Sequence, residues 1–340
     1  MKIAVVLFNL GGPDSLDAVE PFLRNLFSDP KILRLPWLIR APLATWIARR
    51  RVKTARGIYA SIGGASPLLP NTEAQAKALE AALGDLGEVK SFIAMRYWHP
   101  RAEETARRVA EFSPDEIILL PLYPQFSTTT TASSYAEWRR EAKRAGLTAR
   151  TRMICCYPEE AGFIETMAAS IRAAYAEASA HGRPRLLFSA HGLPEKIIRA
   201  GDPYQAQCER TAAALVRALA IPGLDWVSCY QSRVGPLKWI GPATEAEIAR
   251  AGRDKVPVIV APVAFVSEHV ETLVELDIEY RHLAMQGGAP FYARVPAVST
   301  APRFIAGLDG LVRAALAGDK TVCGPEGKRI CAREFCGCPQ

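Results

Sequence analysis

Long apolar runs that stop abruptly at turn residues recur along this chain. In its first half they are IAVVLFNLGGP (3 to 13), SFIAMRYWHP (91 to 100) and IILLPLYPQFS (117 to 127). The second half carries RLLFSAHGLP (185 to 194), WVSCYQSRVGP (226 to 236) and VPVIVAPVAFVS (256 to 267). Runs that stay apolar, rather than alternating with polar residues, predict strands covered on both faces. Between them lie amphipathic stretches with helical spacing, such as ETARRVAEF and TAAALVRALA. β and α therefore alternate, which predicts parallel sheets sandwiched by helices.

The second half repeats the plan of the first. RLLFSAHGLP answers the first run, WVSCYQSRVGP the second and VPVIVAPVAFVS the third. Asn-Leu-Gly-Gly-Pro (9 to 13) stands against Ala-His-Gly-Leu-Pro (190 to 194), and Leu-Pro-Leu against Ala-Pro-Val. The fold predicted is α/β, with two similar doubly wound, Rossmann-like domains, over residues 1–150 and 151–310, followed by a C-terminal helix and cysteine tail over 311–340. Two such domains facing one another make a cleft, and ligands bind at the carboxyl ends of parallel strands. His191 is expected at that rim, with Asn9, Arg96, Tyr97, Tyr123, Gln231 and Ser232 after the other runs.

Composition narrows the class. A 340-residue chain that is 49% apolar can bury a large core. The N-terminal apolar run meets Gly-Gly-Pro-Asp where a signal peptide would need a small-residue cleavage site, so it reads as a strand. No apolar segment approaches the ~20 residues of a membrane span. The net charge of +7 is concentrated in ARRRVKTAR (48 to 56), directly after LRLPWLIRAPLATWI (33 to 47). The tryptophans, leucines and prolines of that stretch are hard to bury in one regular helix. An apolar lip edged with arginines suits a membrane surface or an apolar, anionic ligand, and a core helix with a charged end is the plainer alternative. Nucleic acid is disfavoured because no binding motif accompanies the charge. Eight cysteines without a secretory signal point to a reducing compartment, the cytoplasm, with any membrane contact peripheral.

A histidine at a strand end is, taken alone, most simply a core residue with both nitrogens satisfied. AFVSEHVETLVELDIEY (264 to 280) changes that weighting. With Ser267 as N-cap, Glu268, Glu271, Glu275 and Glu279 fall three and four apart on one helical face, and Val270, Leu273, Val274 and Ile278 on the other. A solvated acidic face is the ordinary reading of such a row. This one, however, begins at the end of a strand beside the one that carries His191. An imidazole facing carboxylates can hold a borderline divalent metal or move protons. Gly-x-Gly-x-x-Gly after a strand and a phosphate-binding Gly-Lys-Ser/Thr loop are both absent, and Gly11-Gly12 alone is too little for either.

LFNLGGP, MRYWHP, LYPQFSTTTTASS, SAHGLP, CYQSRVGP with KWIGP, and FVSEHVETLVELDIEY, in this order along nearly the whole chain, resemble the ferrochelatase family, the enzymes that insert iron into porphyrin at the end of haem synthesis. The resemblance implies the two-domain chelatase fold with a porphyrin cleft, and Fe²⁺ with protoporphyrin or coproporphyrin as substrates. It implies that His191 and Glu271 flank the macrocycle centre as catalytic and metal-binding residues, with Glu268, His269 and Glu275 as a polar conduit behind them. Leu10, Tyr59, Ser66, Arg96, Tyr97, Tyr123, Ser232 and Trp239 match porphyrin-pocket positions. Insertion displaces two pyrrole protons, so a base near neutral pH fits the need. Rivals are a cobalt chelatase of sirohydrochlorin and a non-enzymatic porphyrin carrier. The protein is expected to be a monomer or homodimer.

Cys331, Cys336 and Cys338 crowd the C-terminus, with Cys323 upstream. Zinc is one reading, although tight C-x-C spacing departs from the usual knuckle, and a disulfide suits a reducing compartment poorly. The family resemblance implies a [2Fe-2S] cluster held by Cys156, Cys331, Cys336 and Cys338, with Cys323 the alternative fourth ligand. Thr128 stands where animal members carry one cluster cysteine, so their ligand set does not transfer. Thr128 to Ser134 reads as hydroxyls leading into a helix whose capping box is Ser134 with Glu137.

Overall fold

The computed structural model describes residues 1–233, 237–324 and 328–340. Val234, Gly235 and Pro236, the end of the CYQSRVGP motif, lie outside the described residues. The chain divides into two compact units. The first comprises Met1–Tyr123, Ser127–Cys155 and Leu311–Gly327, and the second Pro124–Phe126, Cys156–Gly310 and Lys328–Gln340.

In chain order the first unit contains β1 (Lys2–Asn9), α1 (Val19–Phe27), α2 (Trp37–Ala60), α3 (Leu68–Ala82), β2 (Glu88–Met95), α4 (Ala102–Phe112), β3 (Glu116–Pro121), α5 (Thr131–Arg144) and β4 (Arg150–Ile154). Next come α6 (Ala161–Ser179), β5 (Arg185–His191), α7 (Glu195–Arg199), α8 (Tyr204–Leu219), β6 (Asp225–Gln231), α9 (Thr244–Arg253) and β7 (Val258–Pro262). A π-helix (Glu271–Glu279) runs into α10 (Tyr280–Gln286), and β8 (Tyr292–Arg294), α11 (Pro302–Ala317) and β9 (Val322–Cys323) complete the order. The strand order is β2-β1-β3-β4-β9 in one sheet and β6-β5-β7-β8 in the other, every pair parallel. β1 and β5 are buried along almost their whole length, which is why they read as unbroken apolar runs.

The repeat seen in sequence extends to residue register. Phe8 pairs with Pro121 and Ser189 with Pro262, while Asn9 pairs with Met95 and Ala190 with Tyr230. At the end of β2 the Met95 amide donates to the carbonyl of Pro100, and at the end of β6 the Tyr230 amide donates to that of Pro242. Leu10 therefore occupies in the first sheet the place that His191 occupies in the second.

Two local expectations are corrected, and the expectation that the apolar stretch at 33–47 resists burial holds. Residues 37–47 of that stretch lie in one continuous helix, α2, with Pro36 at its N-cap and Pro42 inside. It escapes the burial problem by leaving Trp37, Leu38, Ile39 and Trp46 more than half exposed. The Ser134–Glu137 capping box does not form: α5 begins at Thr131, and Glu137 instead receives Arg96 and Arg101. Nor does Ser267 cap a regular helix. The turn that opens the π-helix is organised by Thr272, whose hydroxyl accepts from the His269 amide and donates to the His269 carbonyl, both at 3.0 Å.

Gly12 is required where it stands: a Cβ there would lie 2.3 Å from the Ser66 hydroxyl oxygen. Gly11, at φ +84°, takes a left-handed turn. The glycine pair thus seats β1 against the start of α3.

Candidate functional site

The second unit brings residues from β5, β6 and the π-helix to one place. β5 ends on His191, whose Nδ1 lies 2.9 Å from Glu271 Oε2. β6 delivers Gln231 and Ser232 beside it. Gln231 is oriented by its own oxygen, which accepts from the Ser189 hydroxyl at 2.7 Å, so its Nε2 faces Glu271 Oε2 at 3.4 Å. Ser232 adopts a left-handed backbone at φ 60°. From there its amide donates to Glu275 Oε1 at 2.9 Å, and its hydroxyl lies between Glu271, at 3.3 Å, and Glu275. Tyr280 donates to Glu275 Oε1 at 3.0 Å.

The acidic row divides three ways. Glu271 and Glu275 converge on Ser232. Glu268 turns to β8, accepting from Arg294 at 2.7 Å and from the Ala297 amide at 2.9 Å. Glu279 is exposed, and so is Ile278, which regular spacing places on the apolar face. The i→i+5 bonding of a π-helix changes the angle per residue, so a 3.6-residue extrapolation drifts off its face. His269 is buried, with Nε2 3.9 Å from Glu271 and its ring 4.4 Å from that of Phe265.

These contacts set unequal proton affinities. Burial by itself would lower the His191 pKa, but the Glu271 carboxylate outweighs it, and the imidazole titrates above its ordinary range. Burial would raise Glu271, yet His191 and His269 together hold it well below the usual carboxylate range. Glu275 moves the other way, raised by burial and by the charge of Glu271. The arrangement offers a carboxylate that stays ionised, a base beside it and a second carboxyl able to hold a proton.

Gly192, after His191, leaves room for the Trp239 ring, since a Cβ there would stand 3.3 Å from Trp239 Cε3 and 2.9 Å from the Gln231 carbonyl oxygen. A β-bridge between Pro194 and Trp239 fixes the backbone that carries the indole.

The first unit holds the remaining sequence-derived positions. Arg96 is committed to Asp29 at 2.9 Å, Glu137 at 3.1 Å and the Ser133 hydroxyl at 2.8 Å. Tyr97 is buried and donates to Asp29 at 2.8 Å. Burial, and for Tyr97 also the Asp29 charge, raises the pKa of Tyr97 and Tyr123, so both stay neutral. Leu10 accepts the Tyr97 amide through its carbonyl, and Tyr59 and Ser66 flank Gly12.

Of the cysteines, Cys156 and Cys331 meet in the second unit at one side chain, Gln207, whose Nε2 is 3.5 Å from the first sulfur and 3.1 Å from the second. A side-chain hydrogen bond with Cys331 holds the Cys338 thiol below its ordinary range. The Cys336 sulfur lies 3.5 Å from the Ala200 carbonyl. Cys323 belongs to the first unit, on β9. None of the eight cysteines forms a disulfide. Among the described residues, no three or more His, Cys, Asp or Glu side chains close around a single point as a mononuclear metal cage would.

Sequence reasoning did not single out Asp29, Gln207 or Tyr280, and it read Glu137 only as a capping-box residue. Tyr280 carried a signal, five residues beyond Glu275, that only a π-helical repeat makes meaningful. The others become visible only through tertiary contacts.

Comparison with known proteins agrees with this architecture. The family described as Ferrochelatase matches residues 2–316. The ferrochelatase of Caulobacter vibrioides (strain NA1000 / CB15N) is 56% identical over 342 residues, spanning 99% of this chain and 97% of its own. That of Phenylobacterium zucineum is 54% identical over 343 residues, with 99% and 98% covered. Among solved structures, SirB from Bacillus subtilis with Fe³⁺ shares the fold at a TM-score of 0.53 and 13% identity, covering 93% of this chain and 96% of that one. The chain belongs to the ferrochelatase family.

Proposed function

We propose that His191 and Glu271 receive the iron and the first pyrrole proton in the reaction of this family. The chain is a metal chelatase of the lyase class that inserts Fe²⁺ into a porphyrin to form haem. Fe²⁺ replaces two N–H protons, so each turnover must move two protons away from the macrocycle. The observation that carries our assignment is the 2.9 Å contact between His191 Nδ1 and Glu271 Oε2 at the carboxyl end of β5.

The division of labour follows from the proton affinities. Glu271, held ionised, offers oxygen to the metal and keeps the imidazole basic enough to take a proton. Glu275, raised by burial and by its neighbour's charge, accepts a proton and passes it on, with the Ser232 hydroxyl between the two carboxylates. His269 stands behind Glu271. Glu268 we assign to positioning, because Arg294 and the Ala297 amide already occupy it.

For the porphyrin we assign Leu10, Tyr59, Ser66, Arg96, Tyr97, Tyr123, Ser232 and Trp239. Arg96 contributes shape rather than free charge, its guanidinium being satisfied by Asp29 and Glu137. The exposed Trp37, Leu38, Ile39 and Trp46, with Arg50 stacked 5.4 Å from the Trp46 ring, form a surface for an apolar, anionic ligand or for anionic lipid on the cytoplasmic side. No described helix is long and apolar enough to cross a membrane.

Cys156, Cys331, Cys336 and Cys338 we assign to a [2Fe-2S] cluster. The donor set fits: four soft sulfurs from one unit, two of them facing a single amide, and none drawn off into a disulfide. When bound, such a cluster supplies one-electron redox capacity, which iron insertion does not use. The pairing of Cys156 with Cys331 favours Cys156 over Cys323 as the fourth ligand.

The assay is anaerobic incubation of the protein with Fe²⁺ and protoporphyrin, following haem formation. His191→Ala should retain the fold and porphyrin binding and lose turnover. Near-normal turnover by a folded His191→Ala protein would return the histidine to a structural role.

A further inference from the structure

Gln207 lies on the inner face of α8 and is 1% exposed. Its amide has one permitted orientation. The Phe126 backbone N–H can only donate, so the oxygen accepting it at 2.7 Å must be Gln207 Oε1. That points Nε2 the other way, where its two hydrogens meet the sulfurs of Cys331 at 3.1 Å and Cys156 at 3.5 Å. A half-turn of the amide would set donor against donor at Phe126 and carbonyl lone pairs against two sulfurs.

A neutral thiol is a weak acceptor, and two of them give little reason to bury a carboxamide. Sulfur bearing negative charge is different, because every hydrogen bond it accepts offsets lost hydration. Two converging N–H donors suit thiolates that ligate iron.

We propose that Gln207 is a positioning residue for the cluster: it holds the Cys156 and Cys331 sulfurs as a ligand pair and, by donating to both, raises the cluster's reduction potential. The proposal rests on the cluster assignment above. Uptake of one electron adds negative charge that spreads onto the ligating sulfurs, so donors to those sulfurs stabilise the reduced form more than the oxidised one. Loss of the donors makes reduction harder. A glutamine that merely filled space would leave the potential unchanged.

The test uses the full chain, purified without oxygen, as wild type, Gln207→Leu and Gln207→Glu. Leucine keeps most of the volume without polar atoms. Glutamate keeps the acceptor for Phe126 and turns an oxygen toward the sulfurs. Circular dichroism checks folding; iron, acid-labile sulfide and visible absorption measure the cluster; titration with dithionite against redox dyes gives the potential. For Gln207→Leu the reduction equilibrium should become about tenfold less favourable, about 59 mV for a one-electron couple. Gln207→Glu should lose most of the cluster or shift further in the same direction. Wild-type potential and absorption in either folded variant would overturn the role of Gln207 and leave the cluster standing. Wild-type protein containing neither iron nor sulfide would overturn the cluster assignment, and this proposal with it.

Discussion

His191 is pulled in opposite directions, and the balance is measurable. Burial disfavours its charged form while Glu271 favours it, with a net rise. Glu271→Gln removes the favourable charge and leaves the burial, so the imidazole pKa should fall, toward or below its ordinary value. A histidine NMR titration of that variant checks the sign, and an unchanged midpoint would show that Glu271 does not control the base. In turnover, His191→Ala should cost about 10²–10⁴-fold, the range for loss of a positioned general base. Glu271→Gln should be comparably severe with porphyrin binding kept, whereas exposed Glu279→Gln should stay within a few-fold. Equal losses at 271 and 279 would mean that the row acts only as a diffuse field. The His191–Glu271 pair was legible because strand ends and acidic rows leave marks in sequence. Gln231 was legible as a strand-end residue, but its bond to Glu271 depends on Ser189 fixing its amide, which no spacing reveals.

The π-helix is the element on which the site depends, and Arg294 of β8 ties it down. Its guanidinium bonds Glu268 ahead of the helix and Asp277 within it, each at 2.7 Å. Arg294→Met should cost about 2–3 kcal/mol, since two partly buried carboxylates lose a charged donor. Thermal or urea unfolding measures it. Glu268 also fixes a pH dependence. Burial would raise its pKa, but bonds from Thr272, Arg294 and Ala297 lower it on balance. A carboxyl with a depressed folded pKa contributes stability above its unfolded value, and this is lost as pH falls through the folded one. Arg294→Met should therefore flatten the acid limb of the stability curve below about pH 4.5, and a limb as steep as wild type would exclude the pair as its source. Sequence periodicity located this segment but misjudged its pitch, because side-chain spacing alone does not distinguish i→i+4 from i→i+5 bonding.

At the scale of the molecule, the two sheets were legible as six apolar runs and their likeness as a repeat, but the pairing order within each sheet was not. β4 and β8 were missed for physical reasons: Arg-Thr-Arg-Met-Ile is too polar to read as a covered strand, and Tyr-Ala-Arg is too short. The return of Leu311–Gly327 to the first unit and of Lys328–Gln340 to the second was equally hidden, since each depends on a partner far away in sequence. Cys323 thus falls in the first unit, and Cys156, Cys331, Cys336 and Cys338 in the second. Cys156→Ser should abolish the visible absorption of freshly purified protein, while Cys323→Ser should preserve it. The reverse result would move the fourth ligand to β9.

The register shared by the sheets makes positions 10 and 191 geometrically equivalent, one a leucine and the other a histidine. The same strand-end geometry thus carries an apolar side chain in one sheet and an ionisable one in the other. At this place the two halves differ in side chain and not in strand pairing, so only the second offers a titratable group there.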